Sequence, residues 1–187
     1  MGRLLLALSL ALAASVASGA DSEALIEGSG AAYVGNLMLN QAAGDAQQQA
    51  NARALSDSAN PVINIKQHGT LPAEPFSADF SARIQGDSFS AGTGVLGVNQ
   101  GAGAANQQIN SFRAGVKALP ESLDDSSLAL SAAPLQKVSA ASSNDAGKRL
   151  VEIDDQAFSG SKGVVQLNQG AGVGNRMINS LGIRIVE

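Results

Sequence analysis

The sequence predicts an all-β protein of stacked strand-turn-strand repeats, resembling a β-solenoid or cross-β amyloid, joined by partly disordered linkers. Three observations predict this class. One Asn/Gln/Gly motif occurs three times without gaps, all five prolines lie between its copies, and Ala, Gly, Ser, Asn and Gln dominate. Repeats at long spacing indicate stacked architectures. Because small side chains bury little apolar area, we expect the chain to gain stability by stacking on copies of itself.

The first twenty residues have the pattern of a secretory signal peptide. Arg3 gives a positive start, residues 4–14 are apolar, and Ser18-Gly19-Ala20 supplies small residues for cleavage. A membrane anchor is the alternative, but the apolar run is shorter than the roughly 20 residues that a spanning helix needs. We therefore predict a signal peptide over residues 1–20 and a secreted mature chain that begins at residue 21.

The repeated motif occupies residues 39–51, 98–110 and 167–179 and reads (L/V)-N-Q-(A/G)-A-G-x-(A/G)-(N/Q)-(Q/R)-x-(A/I)-N. A glycine precedes each copy at the same distance, and the last two copies also share an upstream Phe-Ser pair. Proline is excluded from interior strands, so the segments that contain it are predicted to be spacers. The predicted division is repeat 1 at 30–55, linker 1 at 56–88, repeat 2 at 89–116, linker 2 at 117–157 and repeat 3 at 158–187.

Each copy is predicted to form a strand, a turn and a second strand. In the second copy Leu96 and Val98 share one face of the first arm, Gly101-Ala102-Gly103 reverses the chain, and a second arm follows over 105–112. Residues 43–55 alone would favour a helix. The later copies contain Gly and β-branched residues there and favour strand. A closed, monomeric β-solenoid is the alternative to open stacking.

In-register stacking would align the amides of the three copies into ladders, a source of amyloid stability. Val98 and Leu167 would form a thin apolar seam beside them, and a free edge would be a template for the next molecule. The predicted stacking and self-assembly residues are Asn40, Gln41, Gly44, Asn51, Val98, Asn99, Gln100, Gly103, Asn106, Ile109, Asn110, Leu167, Asn168, Gln169, Gly172, Asn175, Ile178 and Asn179.

The residues that carry most enzyme chemistry are scarce. There is no cysteine, and the single histidine, His68, lies in a predicted linker with no positioned partner. The acidic pairs Asp124-Asp125 and Asp154-Asp155 lack the alternating spacing of a calcium loop. The scattered basic residues form no stripe for nucleic acid. We therefore predict no enzyme activity, no catalytic, cofactor-binding or metal residues, and no nucleic-acid partner.

The repeats resemble those of the Fap functional amyloids, exported biofilm fibres of Gram-negative bacteria. The resemblance rests on residues 94–112 and 163–181, with a more degenerate copy at 35–51, and on the plan of three repeats and two dissimilar linkers. It implies a self-associating extracellular fibril subunit that passes through the periplasm with a chaperone, crosses an outer-membrane pore and joins a major amyloid subunit. Major subunits of the family have longer linkers and a C-terminal Cys-x-x-Cys, so this short, cysteine-free chain resembles the minor, nucleating B-type subunit.

Two other functions are compatible with the repeats. A secreted chaperone or cap could carry fibre-like repeats and limit assembly of the major subunit. A monomeric β-solenoid adhesin could use them as a scaffold. A fibril subunit is favoured because the only strand-breaking prolines lie in the linkers, which leaves the repeats free to pair.

Overall fold

The computed structural model of the protein describes residues 21–57, 61–69, 78–116 and 147–185. The predicted signal peptide lies outside this range, as does most of the second predicted linker. The described residues form nine strands and no helix, so no helix among them could cross a membrane. The strands are β1 (Ser22–Glu27), β2 (Val34–Ala43), β3 (Gln48–Ser56), β4 (Phe80–Gln85), β5 (Thr93–Ala104), β6 (Gln107–Val116), β7 (Arg149–Ile153), β8 (Lys162–Val173) and β9 (Arg176–Ile185).

The strands pair in parallel into three sheets of three strands. Sheet A has the order β1-β4-β7, sheet B the order β2-β5-β8 and sheet C the order β3-β6-β9. Each third of the chain thus supplies one strand to every sheet and forms one rung of a stack: β1–β3 is rung 1, β4–β6 is rung 2 and β7–β9 is rung 3. The predicted all-β class of stacked repeats is confirmed.

Equivalent motif positions face each other across neighbouring rungs. Asn40 pairs with Asn99 and Asn99 with Asn168 in sheet B, without slippage along the strands. We call such a set of equivalent residues in successive rungs a column. Because a parallel in-register sheet repeats every ~4.8 Å, a column holds like side chains at hydrogen-bonding distance.

The first strand of each rung was not anticipated from the sequence. Strand β1 precedes the predicted first repeat, and β4 and β7 lie inside the ranges predicted as linkers. The burial of β4 alternates along its length, with Phe80, Ala82 and Ile84 buried. This alternation is typical of a strand with one face in the core. This first strand covers the apolar side of each rung.

The turn between the two motif strands lies later than predicted. Strand β5 continues through Gly101 and Gly103 to Ala104, and the chain reverses at Ala105, whose φ is 53°. The predicted turn at Gly101-Ala102-Gly103 is therefore wrong. A Cβ on Gly101 would lie 3.0 Å from Gln47 Oε1, so this glycine makes room for facing side chains while the strand stays extended. The helical alternative for 43–55 is also wrong, because β3 occupies Gln48–Ser56.

The two interfaces between the layers differ in chemistry. Between sheets A and B, Ile26, Ile84, Leu96 and Val98 form an apolar core together with Phe89. The Phe89 ring stacks on the ring of Phe158 in rung 3, with 5.3 Å between centroids. Between sheets B and C the facing side chains are mainly amides. Residues 61–69 lie against sheet C, where Gln67 Nε2 donates to Gln108 O at 3.3 Å.

Candidate functional site: the amide columns

Two asparagine columns line the interface between sheets B and C. In sheet B, Asn99 donates to Asn40 Oδ1 at 2.9 Å and Asn168 donates to Asn99 Oδ1 at 3.0 Å. In sheet C the column is formed by Asn51, Asn110 and Asn179. Asn110 donates to Asn51 at 3.0 Å, and Asn179 donates to Asn110 at 3.1 Å. The structure thus aligns six of the eight predicted asparagines into two ladders.

The two ladders are hydrogen-bonded to each other and to the backbone. Asn110 Nδ2 also lies 3.0 Å from Asn99 Oδ1 and 2.9 Å from Val98 O. Asn168 Nδ2 likewise lies 3.1 Å from Asn110 Oδ1 and 2.9 Å from Ile109 O. Asn99 and Asn110 are 0% and 1% exposed. Such a connected, buried network is strong when every member is satisfied, because the surroundings have a low dielectric constant.

A glutamine column ties sheet B to sheet A. Gln100 donates to Gln41 Oε1 and Gln169 donates to Gln100 Oε1, both at 2.8 Å. Each of these glutamines also reaches backbone carbonyls of sheet A. Gln100 Nε2 lies 3.0 Å from Ala24 O and 2.8 Å from Arg83 O. The column therefore fixes the first strand of each rung, in sheet A, against the motif strand of sheet B.

Amides also hold the turns in register. Asn106 Nδ2 donates to Ala102 O in its own rung at 3.2 Å and to Gly172 O in the next rung at 3.1 Å. Its Oδ1 accepts the backbone N–H of Asn175 at 3.0 Å. Gln47 takes the equivalent place in rung 1 and donates to Gly103 O at 2.8 Å. The predicted residues Asn106 and Asn175 thus act at the turn and not along the strands.

The motif glycines form a column with no room for a side chain. A Cβ on Gly44 would lie 2.0 Å from Gly103 O, and a Cβ on Gly103 would lie 2.0 Å from Gly172 O. The φ of Gly103 is 113°, which other residues rarely adopt. These glycines allow neighbouring rungs to approach at strand spacing where the chain begins to turn.

The predicted apolar residues are not all on one face. Val98 pairs with Leu167 in the core between sheets A and B, so the predicted seam is present there. Ile109 and Ile178 pair in sheet C. Each adjoins an asparagine that points toward sheet B, so they lie on the opposite side of sheet C. Ile109 is 0% exposed and Ile178 is 37% exposed.

Two features were missed in the predicted set. Arg53 occupies the column of Phe112, and its guanidinium donates to Val95 O at 2.8 Å and to Leu37 O at 3.1 Å. Burial lowers the pKa of Arg53 from its ordinary value. No repeated position marked this residue. A second glycine column includes Gly94, where a Cβ would lie 2.0 Å from Gly35 O. The regular spacing of these glycines was the available signal.

The arrangement supports assembly, and its chemistry is that of neutral hydrogen bonds. Within the described residues, no group of three or more His, Cys, Asp or Glu side chains is placed to hold a metal ion. That the eighteen predicted residues drive assembly between molecules stays a prediction, whereas their alignment within the chain is a property of the fold.

The chain matches a family of known proteins by its sequence. No solved structure matches the chain significantly. The sequence profile described as "Functional amyloid protein FapB/FapC family" matches residues 9–186, which is nearly the whole sequence. A match of this extent covers all three rungs and both intervening segments. The chain belongs to the functional amyloid protein FapB/FapC family.

Proposed function

We propose that this chain is the minor, nucleating subunit of an extracellular functional-amyloid fibril that supports a biofilm matrix and surface attachment. Membership of the family implies a structural protein that assembles into extracellular fibrils. The minor role is favoured by the short linkers and by the absence of cysteine. Within the dissimilar segments, the parts outside β4, β7 and residues 61–69 then act as spacers.

One observation carries the proposal: three in-register rungs whose amide columns end at open strands. Strands β1, β2 and β3 have one neighbour each in their sheets, as do β7, β8 and β9. Within the described ranges, no further strand or helix pairs with these edges. An unpaired parallel edge with a partly filled amide ladder is a template for another rung.

The proposed route to the fibre follows from the predicted signal peptide and from the family resemblance. The chain enters the periplasm, is kept from assembling by a chaperone, and crosses the outer membrane through an export pore. Outside the cell it nucleates the major amyloid subunit. A small three-rung stack suits nucleation because its edges already display the register that an incoming repeat must adopt.

The experiment is seeded assembly of residues 21–187 followed by thioflavin-T fluorescence and fibre diffraction. We expect a lag that preformed seeds remove, with reflections near ~4.8 and ~10 Å. Substoichiometric amounts should also shorten the lag of a major subunit. A protein that stays soluble and slows the major subunit would be a chaperone or cap. A protein that stays monomeric and unfolds cooperatively would be an adhesin scaffold.

A further inference from the structure

The two ends of the stack are not equivalent. Ala24 and Ile26 of rung 1 are 2% and 4% exposed, whereas their column partners in rung 3, Val151 and Ile153, are 49% and 44% exposed. Glutamine contacts explain the difference, because Gln100 of rung 2 bonds to sheet A carbonyls in both rung 1 and rung 2. Strand β1 therefore lies between β2 and β5 of sheet B along the stack, and β4 lies between β5 and β8. Strand β7 contacts β8 and projects beyond it, because no further strand of sheet B follows among the described residues.

The amide columns have a direction. Seven hydrogen bonds join side-chain amides of successive rungs, each within its own column. All seven run the same way, from an N–H of one rung to an oxygen of the rung before it. Asn and Gln nitrogens in these columns also donate to backbone carbonyls, which fixes the assignment of N and O. Gln49 donates the other way, to Gln108, in a column that ends at Met177. In the two asparagine columns and in the Gln41–Gln100–Gln169 column, rung 1 thus presents amide donors and rung 3 presents amide acceptors.

The glutamine column is incomplete at both ends. Gln100 and Gln169 each donate to three oxygens, whereas Gln41 Nε2 donates, within the described residues, only to Leu25 O at 2.6 Å. At the other end, Gln169 Oε1 is buried and has no hydrogen-bond partner in the described part of the chain. Gln100 donates to two acceptors in the rung before its own, and Gln41 has no such rung within its molecule. In rung 3, the residues at the positions of these two acceptors supply Gln169 Oε1 and Val151 O.

We propose that rung 1 of one molecule docks in register on rung 3 of a second copy of the same chain. This inference rests on the proposed function as a self-assembling subunit and specifies the orientation and register of the contact. Gln41 of the incoming copy donates to Gln169 Oε1 and Val151 O, and its Asn40 donates to Asn168 Oδ1. At the turn, Asn175 donates to Gly44 O of the incoming copy, as Gln47 does to Gly103 O within one molecule.

The charge distribution favours the same orientation. Residues 21–57 contain five acidic and one basic side chain, a net charge of −4. Residues 78–116 contain two of each, and residues 147–185 contain three acidic and five basic side chains, a net charge of +2. Docking rung 1 on rung 3 brings opposite charges together, whereas docking two like ends opposes like charges.

Disulfide trapping tests orientation and register, because the chain has no cysteine of its own. Ala50 and Ile178 belong to one column of sheet C. Within one molecule they are two strand spacings apart, roughly 9.6 Å, which is too far for a disulfide. Across the proposed contact they are one spacing apart, about 4.8 Å, which is within range. Oxidised fibres of Ala50→Cys/Ile178→Cys should therefore give covalent multimers on a denaturing gel.

Single-cysteine variants provide the matched controls. Ala50→Cys alone can link only two rung 1 ends and Ile178→Cys alone only two rung 3 ends, so both should remain monomers. Ala52→Cys/Ile178→Cys, displaced by two residues, should also fail to link. Dimers from a single variant, or fibres of the double variant without multimers, would overturn the inference. If the first pair of cysteines blocks assembly, the same test is made with Ala52→Cys/Ser180→Cys, because Ala52 and Ser180 share the next column on the same face.

A glycine variant tests the same contact without cross-linking. A Cβ on Gly94 would lie 2.0 Å from Gly35 O, and one on Gly163 would lie 2.0 Å from Gly94 O. A Cβ on Gly35 meets nothing within 4 Å in a single molecule. In the proposed contact it would meet Gly163 O of the second copy. Gly35→Ala should thus fold but elongate at least tenfold more slowly, by seeded thioflavin-T kinetics.

Gly28→Ala is the control for a positive φ, and because the φ of Gly35 is 87°, thermal unfolding of both monomeric variants separates backbone strain from the docking clash. Gly28 has a φ of 53°. A Cβ added there would lie 3.8 Å from Asp87 Oδ1, which is an ordinary van der Waals contact. Its elongation rate should remain within about twofold of the parent rate. Equal rates for Gly35→Ala and Gly28→Ala would overturn the docking. Failure of the unmodified protein to form fibres would instead overturn the proposed function, and the inference with it.

Discussion

At the scale of single residues, the buried amides determine how the rungs meet. Asn99, Gln100 and Gln108 are 0% exposed, and each takes part in hydrogen bonds within the stack. A buried amide left unpaired costs free energy, so these side chains favour the one register that pairs them all. An apolar residue there would pack in several registers. The amide columns therefore contribute mainly to the choice of register, and less to the free energy of burying apolar surface.

Removing one ladder should slow assembly. Asn110→Ala combined with Asn179→Ala deletes two members of the sheet C column and removes the amides that donate to Asn51 Oδ1 and to Asn168 Oδ1. We expect the folded rungs to lose about 1–3 kcal/mol for each buried group left unpaired, with a longer thioflavin-T lag. Asn36→Ala is the control, since Asn36 is exposed and lies outside the columns of asparagine. Unchanged kinetics in the double variant would show that this ladder is dispensable.

At the scale of elements, each rung depends on its short first strand in sheet A. Strand β4 has six residues and β7 has five, and they share no motif with the repeats. Their inner residues, such as Ala82 and Ile84, face the core beneath sheet B. Alternation over so few residues, next to proline-containing segments, does not separate a strand from a linker. Only the pairing of β1, β4 and β7 shows that these segments belong to the stack.

A substitution in β4 tests this role. Ala82 is 0% exposed, so Ala82→Gln introduces both excess volume and a buried amide without a partner. We expect a destabilisation on the order of 2–5 kcal/mol and loss of seeded assembly, measured by thermal unfolding and thioflavin-T fluorescence. The adjacent Ser81→Gln changes the partly exposed outer face and should be close to neutral. Similar behaviour of both variants would indicate that β4 is not needed.

At the scale of the whole molecule, the three rungs differ in how deeply they are buried. The middle rung is covered on both sides, and β5 is buried from Leu96 to Ala104. Rung 3 is open, with Leu150, Val151 and Ile153 of β7 all exposed. In a fibre built by the proposed docking, every rung except those at the two tips becomes a middle rung. Assembly should therefore protect the two ends and leave the centre almost unchanged.

Hydrogen exchange can measure this change. In the monomer we expect slow exchange in β5 and faster exchange in β7, because local opening is easier where fewer buried contacts form. In fibres the exchange of β7 should slow at least tenfold and approach that of β5. Peptide-resolved mass spectrometry of monomer and fibre makes the comparison. Persistent fast exchange in β7 of mature fibres would mean that its free edge is never covered.

The sequence by itself determined the repeat, the positions at which it recurs and the class of the fold. Spacing alone aligned Asn40 with Asn99 and Asn168, because a parallel in-register stack of identical motifs has one pairing that matches like with like. The resemblance to Fap amyloids and the family match rest on the same residues. These properties follow from the repetition of the motif, which can be read from the sequence without a structure.

Only the tertiary structure decided how the layers are joined. The turn falls at Ala105 and not at the earlier glycines, because the pairing of β5 with β8 continues through Gly101 and Gly103 to Ala104. The carbonyl partners of Gln100, the inward position of Arg53 and the displacement of sheet A depend on contacts between segments about sixteen to seventy-six residues apart. No local pattern encodes such contacts, since they exist only once the rungs are stacked. The difference between the donor and acceptor ends follows from that stacking.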